Sequence, residues 1–453
     1  MSTNNSSILG TKPIGKLLVS QAVPAAIGIL VLSLNMIIDT IFVGKWIGPM
    51  AIAAITIVMP IVYLISSIGM AIGVGGASII SRALGANNKD KAQRVFGNQI
   101  AISLAVAIVL VVTGLIFKNE ALTLFGAKGS IIPPALKYYT IVMFGAPFLA
   151  VCMTGNPVVR AEGKPKFAMA ALIAPAIANI ILDYLFIDVL GYGMAGAAWA
   201  TSISYIACFI TILYFFLSKN SELKIKLKYL VLEWAIIKEI TSLGSVTLAR
   251  QAAVSVLAIV LNHILFHYGG EISIAAYGII SRMLMFALFP VLGIAQGFLP
   301  IAGYNYGANK LVRVRESINT SIIYGSGFAL LIFIGIMLFP EAIVRVFTDD
   351  AQLLKETPNA LRWVFCVTPL IAVQIIGAGY FQAIGKSIPA LLLTLTKQGF
   401  FLIPLIIILP NYLGLLGIWM AFPIADLLST IITGFFLNKE IRLHLKPIIK
   451  NKL

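Results

Sequence analysis

Charge is scarce in this chain. Only 11% of its 453 residues are Asp, Glu, Lys or Arg, against roughly 25% in an average soluble protein. That excludes an ordinary soluble core. Acids are scarcer than bases: 17 Asp and Glu stand against 33 Lys and Arg, a formal net charge of +16. The excess does not point to nucleic acid, because the bases fall mostly in short loops, where they set membrane topology. Cysteine stops at three, Cys152, Cys208 and Cys366, each within an apolar run. The expectation is therefore no disulfide framework and no metal site. His263 and His267 stand four apart with no third ligand nearby, which reads as an interfacial pair. Gly73-Val-Gly-Gly lies in an apolar run with no Gly-Lys-Ser after it. It reads as close helix packing and not as a nucleotide loop. With no ATPase motif and no enzyme chemistry in view, any work must be driven by an ion gradient, with no cofactor beyond the coupling ion.

What the chain has in quantity is apolar length: 60% of it is hydrophobic. Runs long enough to span a bilayer occur near 17–43, 51–81, 95–117, 138–157, 167–187, 194–218, 240–266, 273–303, 317–339, 363–383, 388–410 and 415–437. Such runs can only be helices, since lipid leaves each backbone polar group to be satisfied within its own segment. The fold class is an all-α polytopic membrane protein of twelve helices. The first run is too long for a secretory leader and reads as an uncleaved span. The polar residues Met1 to Thr11 before it predict disorder. Loops after the even spans carry clusters such as Arg82, Lys89, Lys91 and Arg94, or Lys219, Lys224, Lys226 and Lys228; the tail carries Lys439, Arg442, Lys446, Lys450 and Lys452. Even loops and both termini are thereby assigned to the cytoplasm, and the chain to the plasma (cytoplasmic) membrane.

The chain repeats itself at an offset of about 220 residues. Gly-Ala-Asn closes the runs at Asn87 and Asn309; Arg160-Ala-Glu-Gly163-Lys matches Gln382-Ala-Ile-Gly385-Lys; Gly193-Met-Ala-Gly196 matches Gly414-Leu-Leu-Gly417. Six spans is an even number, so the two halves keep one orientation. The expected division is an N-lobe over 1–218, a cytoplasmic linker over 219–238 and a C-lobe over 239–453. Parallel repeats of this kind put substrate between the halves and permit alternating access.

Only Asp39, Asp183 and Asp426 bring carboxylates into the predicted spans. Spans one and five both run outward and reach Asp39 and Asp183 near their ends, so both sit in the outer half of the N-lobe. Asn35 precedes Asp39 by four residues, as Asn179 precedes Asp183, which puts an amide on the face of each acid. Thr201 in span six reaches a similar depth. Two carboxylates together can hold a proton, or their oxygens can ligate Na⁺; the competing reading is that each Asp merely bonds neighbouring helices. Pro24 should kink span one below Asp39. The C-lobe spans carry Arg250, Arg282 and Lys397 beside Asp426. Lys397 and Asp426 can pair. Arg250 either faces the central cavity or is satisfied by carbonyls and Gln251 or Gln398, so Arg250, Gln251, Lys397 and Asp426 are the substrate-cavity candidates.

Asp39-Thr-Ile-Phe-Val-Gly44, Gly-Tyr-Asn-Tyr-Gly-Ala at 303–308, Arg160-Ala-Glu-Gly-Lys-Pro, Asn179 with Leu182-Asp183, and Gly193-Met-Ala-Gly-Ala-Ala together resemble the multidrug and toxic compound extrusion (MATE) family, DinF-like branch. The resemblance covers nearly the whole chain. It implies a two-lobe antiporter that exports small amphipathic organic compounds against H⁺ or Na⁺, a role tied to antibiotic resistance. It also implies that Asp39, Asn179, Asp183 and Thr201 form the ion site. Span seven offers Arg250 and Gln251 and no carboxylate. A monomer in the lipid bilayer is expected, with a small-molecule substrate. The alternatives are a flippase of lipid-linked precursors and a passive channel.

Overall fold

The long apolar runs wind into helices because nothing but the backbone itself can satisfy their N–H and C=O groups in lipid. A computed structural model of the chain describes residues 5–445; residues 1–4 and the tail bases Lys446, Lys450 and Lys452 lie outside the described residues. Every regular element among the described residues is helical. In chain order the principal helices are α1 (Ile14–Trp46), α2 (Pro49–Gly85), α3 (Lys89–Ile116), α4 (Ile132–Ala161), α5 (Pro165–Asp183), α6 (Gly193–Leu217), α7 (Trp234–Gly307), α8 (Leu311–Leu338), α9 (Ala351–Phe365), α10 (Ile371–Ala383), α11 (Ser387–Leu395) and α12 (Leu415–Glu440).

Eleven stretches of the described chain are long and apolar enough to cross a membrane. The longest, α7, has 74 residues. At about 1.5 Å per residue it would run more than three times the roughly 30 Å hydrocarbon thickness if straight. It is broken at Gly270, where φ is 61° and ψ is −158°, a conformation open to glycine and costly for side chains with a Cβ. The break divides α7 into two spans and brings the total to twelve.

The sequence repeat is also a repeat of backbone geometry. The only described non-glycine residues with positive φ are Asn87 (57°) and Asn309 (54°). Left-handed glycines match in the same way: Gly48 with Gly270, Gly163 with Gly385, and Gly193 with Gly414. Each second member lies 222 residues on from the first, or 221 for the last pair. Asn87 and Asn309 each terminate a helix, and the residue after each donates its N–H five residues back, to Ala83 and Asn305.

Contacts divide the chain into two compact units. The first holds the described residues up to Thr11 with Ile27–Thr247; the second holds Lys12–Ala26 with the described residues from Leu248 onward. The boundary therefore cuts α1 just after Pro24. In the second unit, Gly293 and Gly297 of α7 leave room for Ala26 and Ala22, Gly15 faces the hydroxyl of Tyr324, and Arg313 donates to the Lys12 carbonyl at 2.6 Å.

Two expectations are corrected. Asn5–Gly10 forms a 3₁₀ turn and not a disordered lead: Leu9 is fully buried and the Ser6 N–H donates to Glu222. Burying one leucine and satisfying one amide is enough to order so short a segment. Second, Cys152 of α4 and Cys208 of α6 form a disulfide, while Cys366 is free and exposed. The bridge arises because α4 and α6 lie close: a Cβ on Gly145 would stand 2.8 Å from the Ser202 backbone.

The segment between α6 and α7 is fastened to the first unit. The buried Glu162 carboxylate accepts from the Ser221 hydroxyl at 2.8 Å and the Glu222 N–H at 2.7 Å. Gln93 accepts from the Lys224 N–H at 2.9 Å, Asn98 from the Glu233 N–H at 2.7 Å, and Arg94 pairs with Glu233.

Candidate functional site

Three helices of the first unit bring the predicted polar residues together. α1 supplies Asn35 and Asp39, α5 supplies Asn179 and Asp183, and α6 supplies Thr201. Asp183 ends the α-helical part of α5; the next six residues, Tyr184–Val189, wind as a π-helix. That wider turn is a frequent companion of functional residues.

Asn35 donates from Nδ2 to Asn179 Oδ1 at 3.0 Å, which ties α1 to α5 one turn before the acids. The carboxyls of Asp39 and Asp183 lie within hydrogen-bonding reach of each other. Asp183 is fully buried and Asp39 nearly so. Thr201 donates to the Ala197 carbonyl at 3.0 Å, and its oxygen is 3.4 Å from the hydroxyl of the buried Tyr138 of α4. Tyr138 and Tyr205 both lie within electrostatic reach of Asp39.

The cluster is rich in acceptors and poor in donors. Asp39 Oδ1, both oxygens of Asp183 and Asn35 Oδ1 are buried without a hydrogen-bond partner among the described residues. Neither carboxylate meets a lysine or arginine there. Two acids in contact cannot both ionise cheaply, and buried acceptors left unmade are costly. A proton shared between the acids would satisfy this arrangement. So would a small cation held by oxygens of Asp39, Asp183, Asn35 and Thr201. The orphaned oxygens of Asp39, Asp183 and Asn35 fit such an ion, and Thr201, whose hydroxyl donates to Ala197, can add a lone pair.

The remaining candidates fall in the second unit. Lys397 Nζ meets Asp426 Oδ1 at 2.6 Å. Gln374 of α10 donates to the Asp426 carbonyl at 2.7 Å and approaches its Oδ1 at 3.3 Å. Arg250 and Gln251 are exposed on α7, and Arg250 has no ion-pair partner among the described residues. Pro24 is buried in the part of α1 that belongs to the second unit. His263 and His267 are exposed, His267 edge-on to Tyr268. Gly73 lies where a Cβ would stand 2.8 Å from the carbonyls of Met153 and Thr154, so this glycine sets how closely α2 and α4 approach.

Sequence reasoning missed Tyr138, Tyr205 and the Cys152–Cys208 bridge. Tyr138 had a usable signal: it sits seven residues into a helix expected from the loop charges to start outside, at the depth expected for Asp39. Aromatic residues are common in spans, and depth alone did not single it out.

Comparison with known proteins gives a consistent set of matches. The model of the family described as MatE matches residues 24–185 and 247–408, one copy in each repeat. The Multidrug export protein MepA of Staphylococcus aureus (strain MSSA476) is 26% identical over 419 residues, covering 92% of each chain. A crystal structure of MATE in the bent conformation superposes with a TM-score of 0.92 at 26% identity, covering 98% of both chains. A MOP superfamily transporter from Pyrococcus furiosus, described as having a binding pocket of reverse polarity, superposes at 0.89 with 26% identity, covering 98% of this chain and 99% of its own.

Proposed function

The chain belongs to the MATE family of membrane transporters, and from that premise we propose that it is a secondary antiporter exporting small amphipathic organic compounds by alternating access, driven by inward H⁺ or Na⁺. It resides in the cytoplasmic membrane as a monomer with both termini inside. The observation that carries the coupling is the facing pair Asp39 and Asp183, whose buried oxygens lack donors.

The mechanism follows from charge. With no ion, two carboxylates repel. Unit charges about 4 Å apart interact by roughly 4 kcal/mol at an effective dielectric near 20. A proton or Na⁺ between them removes that term and lets the ends of α1 and α5 close on each other. The Asn35–Asn179 bond holds the two helices in register meanwhile, and Thr201 with Tyr138 lines the third side. Ion loading thus selects between two arrangements of α1. This two-state element is what an antiporter must couple to substrate release. The multidrug-export description of the MepA relatives supports drugs as cargo and gives the flippase alternative no support.

Dye uptake into inside-out vesicles, with a pH gradient and a Na⁺ gradient imposed separately, tests the proposal. One gradient should drive transport and the other should not. Transport that persists with both gradients collapsed overturns the antiport reading.

A further inference from the structure

The membrane-embedded part of the second unit holds Arg250, Arg282 and Lys397 against the single carboxylate of Asp426. The ion pair at its heart is asymmetric. The Asp426 side chain is 5% exposed, that of Lys397 20%. Asp426 is held from its own side whether or not the lysine is present. Gln374 Nε2 reaches its carbonyl, its Oδ1 and the Thr430 hydroxyl, and Thr430 donates to the same carbonyl at 2.7 Å. Lys397 has only Asp426. An ammonium carries three donors, and the other two meet no acceptor among the described residues.

Lys397 stands in Thr396–Leu402, which winds as a π-helix following α11. The unit's fifth span is therefore widened at its charged residue, as the fifth span of the first unit is widened just after Asp183. The accessible part of an ammonium inside a membrane span must meet water or a polar ligand, because hydrocarbon does not tolerate the charge.

We infer that Lys397 receives an anionic group, a carboxylate or sulfonate, on the exported compound, with Asp426 as its resident counter-ion. The sign follows from the asymmetry. A cationic substrate would have to displace the lysine from a buried, hydrogen-bonded carboxylate. An anionic group needs only the free donors on the more exposed partner. The unpaired Arg250 in the same unit adds charge of the same sign. The substrates favoured are zwitterionic amphiphiles with a cationic aromatic body and one acid. This inference rests on the export reading and names its substrate class.

Two dyes on one scaffold separate the charge from the shape: rhodamine 19, a free acid, and rhodamine 6G, its ethyl ester. Binding is read by fluorescence polarisation with the purified full-length protein in nanodiscs, with no gradient. Lys397→Gln should weaken rhodamine 19 about tenfold, which is about 1.4 kcal/mol, and leave rhodamine 6G within about twofold. Lys397→Arg should retain the preference. The double variant Lys397→Met with Asp426→Leu leaves no charge buried alone, and should fold and bind both dyes alike. Equal weakening of both dyes by Lys397→Gln, or a preference that survives the double variant, overturns the inference while leaving export intact. Failure of the wild-type protein to bind either dye overturns the multidrug reading and this inference with it.

Discussion

At the scale of the residue, Asp39 and Asp183 carry the largest predicted effect. Asn in place of either acid keeps the volume and supplies a donor for the other, so the local fold should survive. Gradient-driven efflux should fall at least about tenfold, in keeping with the loss of a group that carries the coupled ion, while size-exclusion profiles stay unchanged. Near-normal efflux from either variant would remove that residue from the coupling site. A second residue-scale effect lies in the segment between α6 and α7. Burial pushes the Glu162 carboxyl up to about 7, helped by the neighbouring Glu222 and opposed by its hydrogen bonds from Glu222 N–H and Ser221. A raised folded value means that the folded state binds more protons, so the stabilisation is complete below the ordinary carboxylate range and fades as pH rises through about 7. Hydrogen exchange at residues 218–233, corrected for intrinsic rates, should quicken between pH 6 and 8, and Glu162→Gln should flatten that dependence. Asp39 and Asp183 were legible because acids are so rare in the spans. Their amides were legible from the four-residue spacing. The Asn35–Asn179 bond and the two tyrosines were not, since they depend on how α1, α4, α5 and α6 meet.

Elements tell a similar story. The helices could be read from apolar length, and the break at Gly270 falls between two expected spans. The π-helical turns after Asp183 and around Lys397 had no such signal: one extra residue per turn leaves hydrophobic composition unchanged. Pro24 removes a backbone hydrogen bond next to the point where α1 passes from one compact unit to the other. Pro24→Ala should restore the bond and slow turnover several-fold, with substrate affinity changed by less than about twofold. Equal losses in both would argue against a hinge there. The contact of α2 with α4 through Gly73 predicts a cost of packing instead. Gly73→Ala should lower the melting temperature of the purified protein by several degrees, for a loss of about 1–3 kcal/mol. An unchanged melting curve would mean that the helices part without penalty.

At the scale of the molecule, the duplication and the basic loops fixed the twelve spans and their expected sides. The division into units followed contacts and was not readable from the repeat: the first part of α1 belongs with residues nearly 300 positions away. Orientation has its own test. In a Cys366→Ser background, whose other cysteines are joined to each other, Lys228→Cys should react with an impermeant maleimide in inside-out vesicles and not in intact cells. Labelling in intact cells would invert the assigned topology.

That grouping of Lys12–Ala26 has a consequence for biosynthesis. Gly293, Gly297, Arg313 and Tyr324, against which these residues settle, are translated about 270–310 residues after them. At about 5–20 residues per second the interval is on the order of 15–60 s. Throughout it Lys12–Ala26 lack these contacts. The nascent protein must therefore place this part of α1 in the bilayer well before it can find these neighbours.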